Sequence, residues 1–159
     1  MSKLTVALSG DTQIKIIRRF AAPPALVYRA HVEPDLIRQW MTGPEGWTMP
    51  ECRFEAQPGG TMFMRWVGPD GFGFHATGEI LEVAPGARLV HVERMFLPDP
   101  TPDNHVETRF QADGGGTLMT VTMTVATAEA RTAMLATGMT DGMEDSYARI
   151  DGIFAADHS

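Results

Sequence analysis

His91 and Glu93 are the two residues of this chain whose types and spacing most invite chemistry. Positions i and i+2 of a strand fall on one face, so an imidazole and a carboxylate would stand side by side. His75 precedes them on a separate extended stretch, and two imidazoles with a carboxylate form the donor set of a zinc or iron(II) triad. Nothing in the sequence fixes His75 opposite the pair, so no metal and no cofactor is expected. Facing inward, the pair would orient a ligand by hydrogen bonds; facing outward, it would be an ordinary solvated strand. Acid–base catalysis would have to draw on His75, His91 and Glu93, the inviting candidates for it. Cys52 has no neighbouring signal for activation and reads as a spectator thiol. The chain holds no phosphate-binding loop, no GxGxxG and no GxSxG, which leaves a dinucleotide enzyme or an α/β-hydrolase without support.

A second set is apolar. The chain has 11 Met. By period-2 alternation Met62, Met64 and Trp66 share one strand face, and Met119, Val121, Met123 and Val125 share another. Leu135, Met139 and Met143 recur at helical spacing. Where these faces meet, flexible thioethers and an indole would line a space able to adapt to ligands of varied shape; alternatively they simply fill a core. Gly138 and Gly142 lie four apart and each costs a helix roughly 1 kcal/mol, so close approach of the sheet, or room for a ligand, is expected there. Arg65, Arg94, Arg109 and Glu107 read as a solvated sheet face, and Asp141, Glu144 and Asp145 as the solvent side of a helix.

These residues must be positioned by the elements around them. Ile14–Phe20 is β-branched and aromatic, as a strand should be, and Ala22-Pro-Pro24 stops it. Helices are expected over Pro24–Val32 and from Pro34 to about Trp40, each opened by a proline. A meander follows, with strands over Thr48–Glu55, Thr61–Val67, Phe72–Val83 and Arg88–Phe96, separated by Gly/Pro turns. Leu97–Asn104, with three prolines, reads as an irregular loop, and His105–Gln111 and Thr117–Val125 as a hairpin. From Thr127, a plausible N-cap, the period changes to that of one amphipathic helix of about 27 residues, about 40 Å long. The order predicts an α+β fold: a curved antiparallel sheet of about seven strands wrapped on a long C-terminal helix, with two short helices after the first strand. Residues 1–13 are expected as a flexible N-terminal arm and 14–156 as a single domain.

Composition bounds the function. The 159 residues are 43% hydrophobic and 21% charged, which suits one folded domain with a real core. A formal charge of -7 argues against nucleic-acid or anionic-membrane partners. The single cysteine rules out an internal disulfide and CxxC chemistry. The stretch Gly114–Ala128 is the longest without charge, but it opens with three Gly and carries five Thr, so no membrane insertion is expected. With no leader signature at its start, the chain is expected in the cytoplasm.

The sequence resembles the helix-grip (START-like, SRPBCC) superfamily, in the branch related to the activator of Hsp90 ATPase (AHSA1-like). The resemblance is carried by Arg18-Arg-Phe20-Ala-Ala-Pro-Pro-Ala-Leu-Val27-Tyr28-Arg-Ala30, Pro34-Asp-Leu-Ile-Arg-Gln-Trp40 and Gly43-Pro-Glu-Gly-Trp47. It continues through Pro58-Gly-Gly60, Gly78-Glu-Ile-Leu-Glu-Val83 and Arg88-Leu-Val90 to Gly138-Met-Thr-Asp-Gly142-Met-Glu-Asp-Ser146-Tyr-Ala-Arg-Ile150. It implies the fold above, and a superfamily of lipid carriers, hormone receptors, allergens, cyclases and co-chaperones. Met143 stands where similar proteins often carry Trp, which implies a softer and differently shaped pocket wall.

The expected function is binding of a small hydrophobic or amphipathic ligand between the C-terminal helix and the sheet. Trp47, Met64, Trp66, Met123, Met139 and Met143 would line the space, with His91, Glu93 or Tyr147 as polar contacts. A cyclase, dehydratase or hydrolase using the same cavity is the alternative, ranked below a binding role. A co-chaperone-like interaction module is the third, and a homodimer is compatible with the size although no stripe marks an interface.

Overall fold

The computed structural model describes residues 3–155. Eight strands form one antiparallel sheet in the order β1-β2-β8-β7-β6-β5-β4-β3. They are β1 (Thr5–Ser9), β2 (Gln13–Phe20), β3 (Thr48–Phe54), β4 (Thr61–Val67), β5 (Gly73–Ala84), β6 (Arg88–Phe96), β7 (Asn104–Asp113) and β8 (Gly116–Thr124). The helices are α1 (Pro24–Val32), α2 (Pro34–Trp40), α3 (Ala128–Ala136) and α4 (Met139–Ala155). This is the expected helix-grip α+β architecture, with one strand more than expected.

The extra strand comes from the segment expected as a flexible arm. Thr5–Ser9 pairs with Gln13–Ile17 in a hairpin whose turn uses Gly10 at φ 55. All five β1 residues are exposed, so no buried face writes an alternation into the sequence, and backbone hydrogen bonding alone makes the strand. Residues 1 and 2 of that arm, and residue 156 of the expected domain, lie outside the described residues.

Proline punctuates the first helices. Glu33 ends α1 in an extended conformation because Pro34 bars the helical region to the residue before it, and Pro34 then opens α2. At the other end the single long helix is corrected to two. Gly138 adopts φ 78, a left-handed conformation that closes α3 after Thr137 and starts α4 afresh. A Cβ at Gly138 or at Gly142 would meet nothing within 4 Å, so neither glycine serves a close approach of the sheet. Gly78 does: a Cβ there would lie 2.8 Å from Met62 Cγ on the adjacent strand.

The inner face of the sheet is set by register. Ile14, Met123, Val106, His91 and Ile80 form one rung across β2, β8, β7, β6 and β5. Two apolar clusters cover this face. Tyr147, Ile150 and Phe154 of α4 pack with β2, β7 and β8 and with α1 in the larger one. Ile37 of α2 heads the other, over Met49, Met62, Met64, Trp66 and Ala76. Met41 and Phe54 pack against both.

Polar clamps hold α4 in place. Arg18 is 2% exposed, and its guanidinium reaches Glu144 at 2.9 and 3.2 Å and Asp151 at 2.8 Å. Glu144, expected on the solvent side of the helix, is therefore the partner of a buried cation. Arg149 donates to the carbonyls of Trp40 at 3.1 Å and Gly43 at 2.8 Å, satisfying acceptors that the end of α2 leaves free.

Candidate functional site

Besides Arg18 and Thr108, the inner face carries polar groups on β6. Register with β5 puts His91 opposite Ile80 and Glu93 opposite Gly78, on the inner face, and His91 Nε2 lies 2.6 Å from Glu93 Oε1. A carboxylate accepts, so Nε2 carries the hydrogen, and in the neutral tautomer that this leaves Nδ1 keeps its lone pair. That Nδ1 is buried and has no partner among the described residues. Directly across the ladder from Glu93 stands Asn104, the first residue of β7, whose Oδ1 is also buried and without a partner among the described residues.

Two helices bring further polar groups to the same region. His31 of α1 lies between the rings of Trp40 and Phe110, with centroids at 4.9 and 5.2 Å. Its Nδ1–H donates to the Val27 carbonyl at 2.8 Å. Burial pushes this imidazole down to about 4. Tyr147 of α4 packs edge-on against Phe20 at 5.8 Å. Burial raises its phenol well above the ordinary tyrosine range, and the Glu93 carboxylate adds to the shift. His31, His91, Glu93, Asn104 and Tyr147 thus bring polar groups from α1, β6, β7 and α4 to the margin of an apolar interior, with Glu93 and Asn104 half-buried.

The expected lining residues divide between the two clusters. Met123 is buried in the larger one with Tyr147, and Met139 and Met143 pack against it half-buried. Met64 and Trp66 are buried in the smaller one under Ile37, where the Trp66 indole donates to the Met41 carbonyl at 2.7 Å. Trp47 packs against that second cluster and against Phe72 and Phe74. A cleft of about 380 Å³ opens between α2 and the start of β3, lined by Asp35, Arg38, Thr42, Trp47, Thr48 and Met49. Of the nine expected site residues, Trp47 alone borders it.

His75 is on the other side of the sheet. Residues 76, 78 and 80 face inward, so His75 faces out, stacked between Phe63 and Phe96 at 5.5 and 4.5 Å. It cannot join His91 and Glu93 on one metal or in one acid–base set. The outer face carries the expected charges in pairs, including Arg65 with Glu51 at 3.0 Å and Arg94 with Glu79 at 2.8 Å and Asp103 at 2.7 Å. Burial pushes the Cys52 thiol up to about 11, so it is no thiolate nucleophile near neutral pH.

Sequence reasoning missed His31, Asn104 and Arg18. Asn104 was legible, since Asn104, Val106, Thr108 and Phe110 continue one alternating face, but the proline-rich run before it reads as loop. His31 stands one turn after Val27 and packs against aromatic rings, a placement that no spacing rule announces.

Among the described residues, no helix is long and apolar enough to cross a membrane. The comparison with curated proteins found no match. Solved structures do match over nearly the whole chain. A crystal structure of a protein from Rhodobacter sphaeroides is 31% identical, with a TM-score of 0.92 over 97% of this chain and 99% of that one. A protein from Mycobacterium smegmatis is 25% identical, with a TM-score of 0.83 over 94% and 96%. The solution structure of an AHSA1-like protein from Aeromonas hydrophila is 22% identical, with a TM-score of 0.74 over 89% and 93%, a likeness of fold. The family described as activator of Hsp90 ATPase homolog 1-like protein matches residues 21–155, and this chain belongs to that family.

Proposed function

We propose that the protein binds a small hydrophobic or amphipathic molecule between α4 and the inner face of the sheet. One observation carries this reading. Met134, Leu135, Met139 and Met143 rest half-buried on the larger cluster, on a helix pair interrupted at Gly138, and α3 buries no residue at all. Side chains held that way wall an interior without sealing it, and thioethers adjust to what they enclose. The contacts assigned to the ligand are Met123, Met139 and Met143 along its apolar body, with His91, Glu93 and Tyr147 at its polar end. The formal charge of -7 fits a cytoplasmic carrier or sensor of small molecules and opposes polyanion binding. An Hsp90-type partner, which the family description suggests, is not part of this reading.

Native mass spectrometry of purified protein, with thermal shift against fatty acids, sterols and aromatic polyketides, tests it. A bound small molecule or a raised Tm with one class is expected. No bound species and no shift with any class would overturn it. A catalytic use of the same space would fall to the His91–Glu93 pair, and turnover lost in Glu93→Gln with binding retained would be its mark.

A further inference from the structure

We propose that His91 Nδ1 and Asn104 Oδ1 are the recognition end of the ligand site, and that they select a neutral apolar molecule carrying a hydroxyl group. This rests on the binding reading above and adds to it the chemical class of the ligand.

Both atoms are buried and without a partner among the described residues. His91 is 8% exposed, and its ring is fixed by the 2.6 Å contact from Nε2 to Glu93. That contact dictates the polarity of the other nitrogen: with the hydrogen on Nε2, Nδ1 is an acceptor. Asn104 Oδ1 is an acceptor by its nature. Register brings both to one side of the sheet, because Glu93 pairs with Asn104 and His91 precedes Glu93 by two residues. A buried acceptor without a donor is a cost that folded proteins seldom leave unmet, and two on adjacent strands point to one common donor-bearing guest.

The guest's chemistry follows from what surrounds it. It must donate, so an alcohol or phenol fits where an ether or ester has nothing to give. It must be neutral, since an ionised carboxylic acid would bring a second negative charge beside Glu93 and two more acceptors to a site that already has two in excess. Its body must be apolar, to lie among Ile80, Val106 and Met123, the neighbours of His91 along the rung. A hydroxyl has one hydrogen to give and also accepts, so it donates to His91 Nδ1 and takes a hydrogen bond from the Asn104 amide NH2 in return.

Three probes with one ring system separate the alternatives: 2-naphthol, 2-methoxynaphthalene and 2-naphthoate, each titrated calorimetrically near pH 7.5. 2-Naphthol is expected to bind at least about tenfold tighter than either of the others, the consequence of one buried acceptor satisfied or left bare. In His91→Phe and Asn104→Leu, with folding checked by circular dichroism and melting, the naphthol-to-ether ratio is expected to fall towards one. A second readout needs no variant. In long-range ¹H–¹⁵N spectra of the wild-type histidines, the His91 Nδ1 signal should move on adding 2-naphthol and not on adding the ether. Equal binding of naphthol and ether, or an unmoved Nδ1 signal with naphthol bound, would overturn the hydroxyl selection while leaving apolar binding intact. Binding of none of the three would overturn the hydroxyl selection, and if the wider ligand panel also failed, the binding reading would fall with it.

Discussion

Arg18 shows how much one residue of this chain decides. A guanidinium buried to 2% exposure is tolerable only because Glu144 and Asp151 supply charge and geometry together, and both carboxylates belong to α4. The pairing lowers the Glu144 carboxyl below its ordinary range and raises Arg18. Removing the cation strands two carboxylates against an apolar face. Arg18→Met should therefore lose roughly 3 kcal/mol in urea unfolding, towards the low end for buried pairs because the carboxylates keep some contact with water. His31 makes the opposite case, a titratable group kept neutral. Its folded value of about 4 lies below the ordinary 6.5, so between those values the unfolded chain binds a proton that the folded chain refuses. Stability is complete above that window and falls as pH drops through it, by about 2–3 kcal/mol at pH 4.5. Calorimetric melting of wild type and His31→Phe at pH 7 and 4.5 isolates this group: the variant should lose that part of the acid sensitivity. Carboxylates such as Glu107, held low by Arg88, add their own losses at lower pH.

Elements were legible where burial imposes a period. Met62, Met64 and Trp66, and Met119, Val121 and Met123, are buried as alternation places them, because a slip of one residue would expose a whole face. β8 alternates throughout for the same reason, whereas in β6 it is register, His91 opposite Ile80 and Glu93 opposite Gly78, that puts the pair on the inner face. The exposed β1 carries no such constraint, and the break at Gly138 is hidden because Leu135, Met139 and Met143 keep a spacing of four across it. What the sequence cannot separate is a glycine inside a helix from one that ends it. The two glycines should behave oppositely. Gly138→Ala forces a Cβ into a left-handed conformation and should cost about 1 kcal/mol. Gly142→Ala adds a methyl group to open space within α4 and should gain roughly 0.5–1 kcal/mol. Guanidinium midpoints of the two variants check this; stabilisation of both would mean that α3 and α4 join into one helix in solution.

At the scale of the whole molecule, the division of the core follows from dimensions. Eight strands at about 4.8 Å spacing make a sheet some 34 Å wide, whereas a helix with its side chains covers about 10–12 Å. α4 serves β2, β8 and β7 and shares a cluster with Ile80 of β5, but β3, β4 and the first half of β5 around Ala76 need a cover of their own, which α2 provides through Ile37. A single cavity lined by every Met and Trp of the inner face asks one helix to reach too far. This is why the face of each residue was readable from the sequence while membership in one site was not: alternation is local, and the width of the sheet is global. The division has a functional consequence. Met64 lies in the α2 cluster and should be a stability residue, so Met64→Ala should cost roughly 2–5 kcal/mol and leave the affinity for 2-naphthol unchanged at matched folded fraction. Met143 rests half-buried on the α4 cluster, so Met143→Trp should cost under about 1 kcal/mol yet change the affinity severalfold by filling the wall it forms. Urea midpoints and calorimetric titrations on the same two variants test both halves. An affinity lost in Met64→Ala would return the α2 cluster to the ligand site and make the two clusters one.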